Sequence, residues 1–207
     1  MLPKLMAFAG IMTALLLKGC AVGESSSVEA PGNGVTTARA VGVVDSSLSM
    51  EEGLRRFREG LPVVSELTAG DRSREALVRR FVRALELSDT NDLRAMAITR
   101  SEFAYLYYPA SQHTRPPTAQ VAGLVWFFNI QSSQKGLTRA MRRYGGKPLL
   151  YGGHTCAAAP IREGPNTFWS ACNLRIAAAP NIGDVSLFGT IIEREGRFKF
   201  LTYANDF

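Results

Sequence analysis

The sequence predicts an α+β fold, in which N-terminal helices pack on a C-terminal antiparallel sheet of four strands in a meander. Apolar residues recur at helical spacing through residues 71–144, and strand-like runs separated by turn residues follow them. The predicted strands are residues 149–157, 167–177, 184–194 and 197–204. The helices therefore precede the sheet in the chain.

Composition indicates a globular chain of one domain with appendages. The 207 residues are 46% hydrophobic and 20% charged, which suits a packed core rather than disorder. The formal net charge is +6, and two of the 24 basic residues, Lys4 and Lys18, lie in the leader described next. The remaining 22 basic and 18 acidic residues leave +4, so no nucleic-acid partner is expected.

Residues 1–19 predict a signal peptide. A basic start at Lys4 precedes an apolar run that is too short to span a bilayer. Leu17-Lys18-Gly19-Cys20 resembles the bacterial lipobox, which implies lipid attachment at Cys20 and an extracytoplasmic, membrane-anchored protein. An aspartate directly after the lipidated cysteine resembles an inner-membrane retention signal. This chain has Ala21 there, so the outer membrane or cell surface is the favoured location. The alternative is an ordinary secretory leader or membrane anchor with an incidental cysteine.

Residues 20–49 predict a flexible tether, since they are rich in Gly, Ser, Ala and Val and have no periodicity. Residues 50–70 form a short helix and linker, with Leu54 and Phe57 on one helix face. That helix either lies on anionic lipid or, as we favour, packs on the domain. The folded domain is predicted over residues 71–207.

The first helix of the domain is indicated by an apolar stripe at Leu77, Phe81 and Leu85, with Asp71 or Ser73 as its cap. A second, short helix carries Leu93, Met96 and Ala97. Thr99-Arg100-Ser101-Glu102 matches a capping box and predicts a helix starting at Arg100. The aromatic run that follows it leaves a strand as the alternative.

A long helix is predicted after Thr118, which can cap it. Its residues through Phe128 are apolar nearly all round, so we expect it to be buried on most sides. A break at residues 131–134 precedes another helix, residues 135–144, which Gly145-Gly146 ends. The outer face of that helix carries a basic patch of Arg139, Arg142, Arg143 and Lys147. The patch is either simply solvated or contacts phospholipid headgroups or an acidic partner.

A disulfide is predicted between Cys156 and Cys172. An antiparallel pair that places the two opposite each other needs a turn centred on Gly164, and the sequence there is Glu163-Gly164-Pro165-Asn166. The bridge implies an oxidising compartment, and Cys20 is then the only remaining cysteine. Two buried free thiols are the alternative.

The last hairpin turns at Glu195-Gly196, which pairs Ile191 with Phe200 and Glu193 with Phe198. One face of the sheet is then apolar and the other mixed. We therefore expect helices on one side, and a partner surface, such as a homodimer contact, or a half-wet face on the other.

This order of elements resembles the NTF2-like (SnoaL-like) α+β cone. The resemblance covers residues 71–207 and rests on the spacing from Leu77 to Leu93 at the start and on Gly196-Arg197-Phe198-Lys199-Phe200 at the end. It implies a pocket between a curved sheet and helices, used for catalysis by some members and for binding by many. It assigns no catalytic residue here.

No metal or cofactor is expected. The chain has two histidines, His113 and His154, and although His154 and Cys156 share a strand face, no third ligand is evident. No phosphate-binding loop or nucleophile motif is present in the sequence. Enzymatic activity is therefore uncertain, and less favoured than binding.

Aromatic residues with polar tips are typical of small-molecule pockets, although core packing is the alternative. The candidate pocket residues are Tyr105, Tyr107, Tyr108, Trp126, His154 and Trp169. The function that we predict is a membrane-tethered extracytoplasmic binding or interaction module, for a small apolar ligand or a protein partner. The alternatives are a structural envelope lipoprotein and an NTF2-like enzyme acting on a small apolar substrate.

Overall fold

The computed structural model of the chain describes residues 49–177 and 183–205. The predicted signal peptide, Cys20 and all of the predicted tether before Ser49 lie outside these residues. Within the described residues the fold is α+β, as predicted, with five α-helices and two antiparallel sheets. The helices are α1 (Met50–Arg58), α2 (Arg74–Glu86), α3 (Thr90–Ala95), α4 (Arg100–Glu102) and α5 (Ala122–Tyr144).

The described strands are shorter and more numerous than the predicted four. They are β1 (Gly153–Thr155), β2 (Ile161–Glu163), β3 (Asn166–Trp169), β4 (Asn173–Ile176), β5 (Gly183–Val185), β6 (Ile191–Arg194) and β7 (Arg197–Phe200). They form a three-stranded sheet in the order β1-β4-β5 and a four-stranded sheet in the order β2-β3-β6-β7. The single meander is thus matched only in part.

The predicted strand 149–157 is shortened to β1, and the predicted strand 167–177 is divided into β3 and β4 where the chain steps from one sheet to the other. Ala171 has a φ of 49°, a conformation in which a strand of L-residues does not continue. The predicted register is kept between β1 and β4, because His154 pairs with Leu174, as Cys156 opposite Cys172 requires. The hairpin of β2 and β3 turns at the predicted Gly164-Pro165, but its register differs by one residue, because Glu163 pairs with Asn166 and not with Pro165. The predicted disulfide between Cys156 and Cys172 is confirmed, and it lies at this step.

The last hairpin has the predicted register, with Ile191 opposite Phe200 and Glu193 opposite Phe198. The free edge of β7 is covered by other parts of the chain. The backbone N–H of Asp71 donates to the carbonyl of Phe198 at 3.0 Å, and that of Ile98 donates to Phe200 at 2.9 Å. A covered edge does not offer an open row of donors and acceptors for aggregation.

Two hydrophobic cores lie on opposite faces of the four-stranded sheet. Ile191 and Phe200 belong to the core that contains α2, whereas the adjacent Ile192 belongs to a core with Phe57 and Phe103. The prediction of a half-wet second face is therefore wrong for this sheet, because the turn after α4 packs on it, with the Tyr107 ring edge to face with Phe168. The homodimer stays a prediction.

The capping predictions for α2 and α4 are confirmed. The Ser73 hydroxyl accepts from the backbone N–H of Ala76 at 3.0 Å, and Thr99 and Glu102 form the capping box. The aromatic run after α4 is not a strand: it forms a π-helical turn, Phe103–Tyr107, followed by 3₁₀ turns at Tyr108–Ala110 and Gln112–Thr114.

The predicted break in the long helix is wrong, since α5 runs without interruption from Ala122 to Tyr144. Polar residues in and just before the predicted break instead bond the segment after β7. The Asn129 amide donates to the Leu201 carbonyl at 3.0 Å, and the Ser133 hydroxyl accepts from the backbone N–H of Tyr203 at 3.1 Å. Gly145 ends the helix as predicted, but Val121 rather than Thr118 occupies the N-cap position.

The first half of α5 is not buried on most sides. Leu124, Phe127 and Phe128 are 43%, 49% and 54% exposed, and the two phenylalanine rings contact each other edge to face at 5.6 Å. The helix therefore buries one apolar stripe and presents a second one outward.

Candidate binding site

A cavity of about 430 Å³ lies between α5 and the segment that runs from the end of α3 into α4. Residues of α5 form one wall, residues 94–100 form the other, and the buried Tyr203 completes it. Its volume falls within the range of small-molecule sites, roughly 300–1,000 Å³.

The wall of this cavity is mostly apolar with a few polar groups. Trp126, Ile130 and Leu137 contribute from α5, and Ala97 and Ile98 contribute from the facing segment. Trp126 is positioned by packing beside Phe103, with ring centroids 5.1 Å apart. The lining polar residues are Arg94, Thr99, Arg100, Ser133, Gln134, Thr138 and Tyr203. An apolar surface with few polar groups suits a ligand that is itself mainly apolar.

The facing wall is held in place by hydrogen bonds at its back. Tyr203 donates from its hydroxyl to the Leu93 carbonyl at 2.6 Å, which fixes the end of α3 to the segment after β7. Burial raises the pKa of Tyr203 well above its usual value of 10.0, so this phenol stays a donor at physiological pH. The cavity is thus built on rigid neighbours.

A second hollow, of about 470 Å³, lies beside α1. Within the described residues its lining comes from Ser49 and α1 alone, including Glu51, Glu52 and Arg55. One helix face with paired charges provides no opposing wall for an apolar ligand, so the cavity along α5 is the better candidate.

The six predicted pocket residues do not converge on one site. Tyr107 and Tyr108 are buried in the second core, which fits the packing alternative, and Tyr105 lies under the Arg58 guanidinium at 4.5 Å. Trp126 alone among the six lines the α5 cavity. His154 and Trp169 lie elsewhere, beside α2.

His154 lies in a small polar cluster at the start of α2. Its Nδ1 lies 2.8 Å from the Tyr151 hydroxyl and 3.2 Å from the Glu75 carboxylate, while Arg79 pairs with Glu75 at 2.6 Å. Arg74 stacks over the Trp169 ring at 4.2 Å. The structure therefore brings two predicted residues, His154 and Trp169, near the same end of α2.

The chemistry of this cluster is that of a neutral, oriented imidazole. Burial, helped by the charge of Arg74, lowers the pKa of His154 below its usual 6.5, against the opposing effect of Glu75. Burial also raises the pKa of Tyr151 to about 12. His154 Nε2 is buried and accepts no hydrogen bond from the described residues. The adjoining cavity, about 160 Å³, is small and polar, which suits a structural role more than a substrate site.

The basic patch predicted on α5 is partly engaged by the protein itself. Arg139 donates to the Asn205 carbonyl, and the Lys147 ammonium donates to the Arg143 carbonyl at 2.8 Å. Arg142 is exposed. No acidic residue occurs in α5, so this helix remains a strongly basic element.

Across residues 49–177 and 183–205, no group of three or more His, Cys, Asp or Glu side chains is placed to hold a metal ion. None of the helices in those ranges combines the length and apolar character that a bilayer crossing requires.

Arg94 and Arg100 were not predicted as site residues. Their place beside Trp126 depends on α3 and α4 packing across α5, a contact between stretches about 30 residues apart that no local pattern signals. No family model, curated protein or solved structure matches the chain.

Proposed function

We propose that the chain is a lipid-anchored, extracytoplasmic binding module that holds a small, largely apolar ligand in the cavity along α5. The observation that carries the proposal is the cavity of about 430 Å³ with Trp126, Ile130 and Leu137 in its wall. The cavity is open to solvent, since several of its lining residues are exposed. An apolar ligand that enters it therefore displaces water from apolar surface, which is favourable.

The proposed location rests on the sequence and on the disulfide. Cys156 and Cys172 are joined, which is consistent with an oxidising, extracytoplasmic compartment. The leader and the lipobox-like sequence ending at Cys20 support anchoring at a membrane. The tether would then hold the domain at roughly 30 Å from its anchor, the root-mean-square span of about 29 flexible residues.

Ligand binding is tested by thermal-shift screening with small apolar and aromatic compounds, compared between two tryptophan variants of α5. Thr138→Trp places an indole in the cavity, whereas Arg142→Trp places one on the exposed side of the same helix. A ligand at a hundred times its Kd stabilises by about 2.7 kcal/mol, or roughly 5–11 °C in Tm.

We expect that stabilisation in the wild type and in Arg142→Trp, and its loss in Thr138→Trp. Equal shifts in both variants would place the ligand elsewhere. If no compound shifts the wild type, and native mass spectrometry of protein taken from its own membrane finds no bound small molecule, the structural envelope role becomes the better proposal.

A second candidate function, docking of the domain on a lipid surface, is favoured by the outward face of α5. Leu124, Phe127 and Phe128 are exposed on a helix with four basic and no acidic residues. Aromatic and aliphatic side chains beside basic ones are typical of helices that lie in an anionic membrane interface. A tethered domain would meet that surface often.

Vesicle flotation of the mature chain carrying Cys20→Ser tests this docking without the anchor. We expect binding to phosphatidylglycerol vesicles, weaker binding to phosphatidylcholine, and a loss in Phe127→Gln/Phe128→Gln. Leu87→Gln, at the exposed apolar residue that follows α2, is the matched control. If the double variant floats like the wild type, the face is not a lipid contact; concentration-dependent light scattering then tests it as the homodimer surface.

The NTF2-like relationship belongs to the same proposal. Helices that precede an antiparallel sheet, a terminal hairpin and a cavity beside a long helix support it. The step between two sheets is the feature that differs from one continuous curved sheet. An experimental structure tests the relationship: a curvature that aligns both sheets as one cone supports it, and two flat, separate sheets contradict it.

A further inference from the structure

Charge is distributed unequally around the α5 cavity. Arg94 and Arg100 line it, and none of its lining residues is acidic. The acidic residues next to these arginines in the sequence are engaged elsewhere: Asp92 pairs with Arg80 at 2.5 Å, and Glu102 pairs with Lys199 at 2.9 Å. The cavity therefore carries a positive charge that its own wall does not neutralise.

The two guanidinium groups keep donors for a ligand. Arg100 lies over the Phe57 ring at 4.6 Å and reaches the Phe57 carbonyl only at 3.5 Å. The Arg94 guanidinium has no ion pair or hydrogen bond with any residue that the structure describes, and the Arg94 backbone carbonyl accepts from the N–H of Ala97 at 3.2 Å. A guanidinium offers five N–H donors in a planar fork that matches the oxygens of a carboxylate, sulfonate or phosphate.

We infer that the ligand of this cavity is an anionic amphiphile, an inference that rests on the function proposed above. Its aliphatic or aromatic body lies against Trp126, Ile130 and Leu137, and its anionic end lies beside Arg94 and Arg100. Apolar surroundings strengthen a charge-assisted hydrogen bond relative to water, so the anion adds affinity as well as orientation.

Two fluorescent probes that differ by one charged group test this inference. 1-Anilinonaphthalene-8-sulfonate has an apolar aromatic body and a sulfonate, and N-phenyl-1-naphthylamine has the same body without the sulfonate. We expect the sulfonate probe to bind the folded full-length mature chain at least tenfold more tightly, a difference of 1.4 kcal/mol. Added salt should weaken the sulfonate probe and leave the neutral probe unchanged.

Charge-removing variants locate the anion. Arg94→Gln and Arg100→Gln should each weaken the sulfonate probe several-fold and leave the neutral probe unchanged. Arg142→Gln, an exposed arginine of α5 outside the cavity lining, is the control and should affect neither probe. Near-ultraviolet circular dichroism confirms that each variant is folded before titration.

Displacement identifies the chemistry further. Displacement of the sulfonate probe by decanoate or by a short-chain phosphatidate supports the inference. The competitor that displaces the probe at the lower concentration shows whether the site prefers a free fatty acid or a lipid headgroup. Inorganic phosphate displacing it equally well overturns the amphiphile. Equal affinity for both probes with unaffected arginine variants overturns the anionic end but leaves apolar binding intact. If neither probe binds, the proposed function fails as well.

Discussion

Glu102 and Lys199 form an ion pair that is almost completely hidden from solvent, with Lys199 Nζ 2.9 Å from Glu102 Oε2. The carboxylate also accepts from the backbone N–H groups of Thr68 and Thr99, both at 2.7 Å. Burial alone would raise the pKa of Glu102, but these hydrogen bonds and the charge of Lys199 outweigh it and lower the pKa below 4.5. One carboxylate thereby joins the α4 cap, the loop before α2 and strand β7.

Lys199→Met should destabilise the domain by about 3–5 kcal/mol, because it leaves Glu102 charged and buried without its cation. The double variant Glu102→Gln/Lys199→Met should recover most of that loss, since neither charge then remains. Urea unfolding at pH 7 measures both. The Glu102 pKa is lowered, so the pair stabilises above pH 4.5 and its contribution fades as pH falls through the folded-state pKa. Equal losses in the single and double variants would contradict this account.

His154 should make stability depend on pH in the weakly acidic range. Its folded-state pKa lies below 6.5, so the unfolded chain takes up a proton first, and stability falls as pH drops below about 6.5 towards the folded-state pKa. His154→Gln should flatten the difference between urea midpoints at pH 7.5 and pH 5.5. An unchanged difference between the two midpoints in His154→Gln would contradict this account.

Among elements, α5 depends on an unusually close approach to the segment after β7. A Cβ atom on Gly136 would lie 1.8 Å from the Tyr203 carbonyl oxygen, and the Asn205 amide donates to the Gly136 carbonyl at 3.0 Å. A glycine inside a helix normally costs stability, yet here it is what allows helix and segment to touch. The polar stretch that predicts a helix break, residues 131–134, and the nearby Gly136 instead form the contact between α5 and the segment after β7.

Gly136→Ala should therefore destabilise the domain by about 1–3 kcal/mol through steric overlap. Gly123→Ala in the same helix meets only the Phe57 ring at 3.9 Å, so it should be neutral or stabilise by up to about 1 kcal/mol. Urea unfolding of the two variants gives the comparison. An unchanged midpoint for Gly136→Ala would mean that the helix shifts freely away from Tyr203.

Removing the bridge between the two hairpins should lower the melting temperature. Cys156→Ala/Cys172→Ala opens a loop of 16 residues, worth roughly 3 kcal/mol in the chain-entropy model; that is roughly 6–12 °C for a domain of this size. Added reductant should lower the Tm of the wild type and leave the double variant unchanged. Two free thiols in the denatured, unreduced mature protein would contradict the bridge.

Turn chemistry is the reason that strand register could be predicted from sequence. Glu195-Gly196 fixes which residues of the last hairpin face each other, and Gly164-Pro165 places the turn between Cys156 and Cys172 to within one residue. The step between sheets could not be predicted, because it depends on a positive φ at Ala171, a residue type with no preference for that conformation.

The candidate site was less predictable than the fold. Trp126 could be found from its residue type, but the three predicted tyrosines went into packing in the second core, around α1 and the turn after α4, and Trp169 packs against the first core. Arg94 and Arg100 could be assigned to the cavity only once the packing of α3, α4 and α5 was known. Site residues contributed by distant elements leave no spacing in the sequence for a pattern to detect.

For the whole molecule, we predict that lipid attachment at Cys20 decides which cell fraction holds the protein. Replacing the predicted lipidation residue, Cys20→Ser, should move the protein from the membrane fraction to the soluble extracytoplasmic fraction. Cys156→Ser/Cys172→Ser should stay in the membrane fraction, which separates loss of the lipid from loss of a cysteine. Unchanged fractionation of Cys20→Ser would contradict the lipid anchor.

The bonds that close this fold join residues far apart in the chain. Asp71 pairs with Phe198, and Tyr203 reaches Leu93, 110 residues earlier. Non-local contacts form only after the intervening chain has been synthesised, and they slow folding. A growing polypeptide that still lacks β7 and the segment after it can complete neither core. Folding of this domain therefore follows the synthesis of its chain rather than accompanying it.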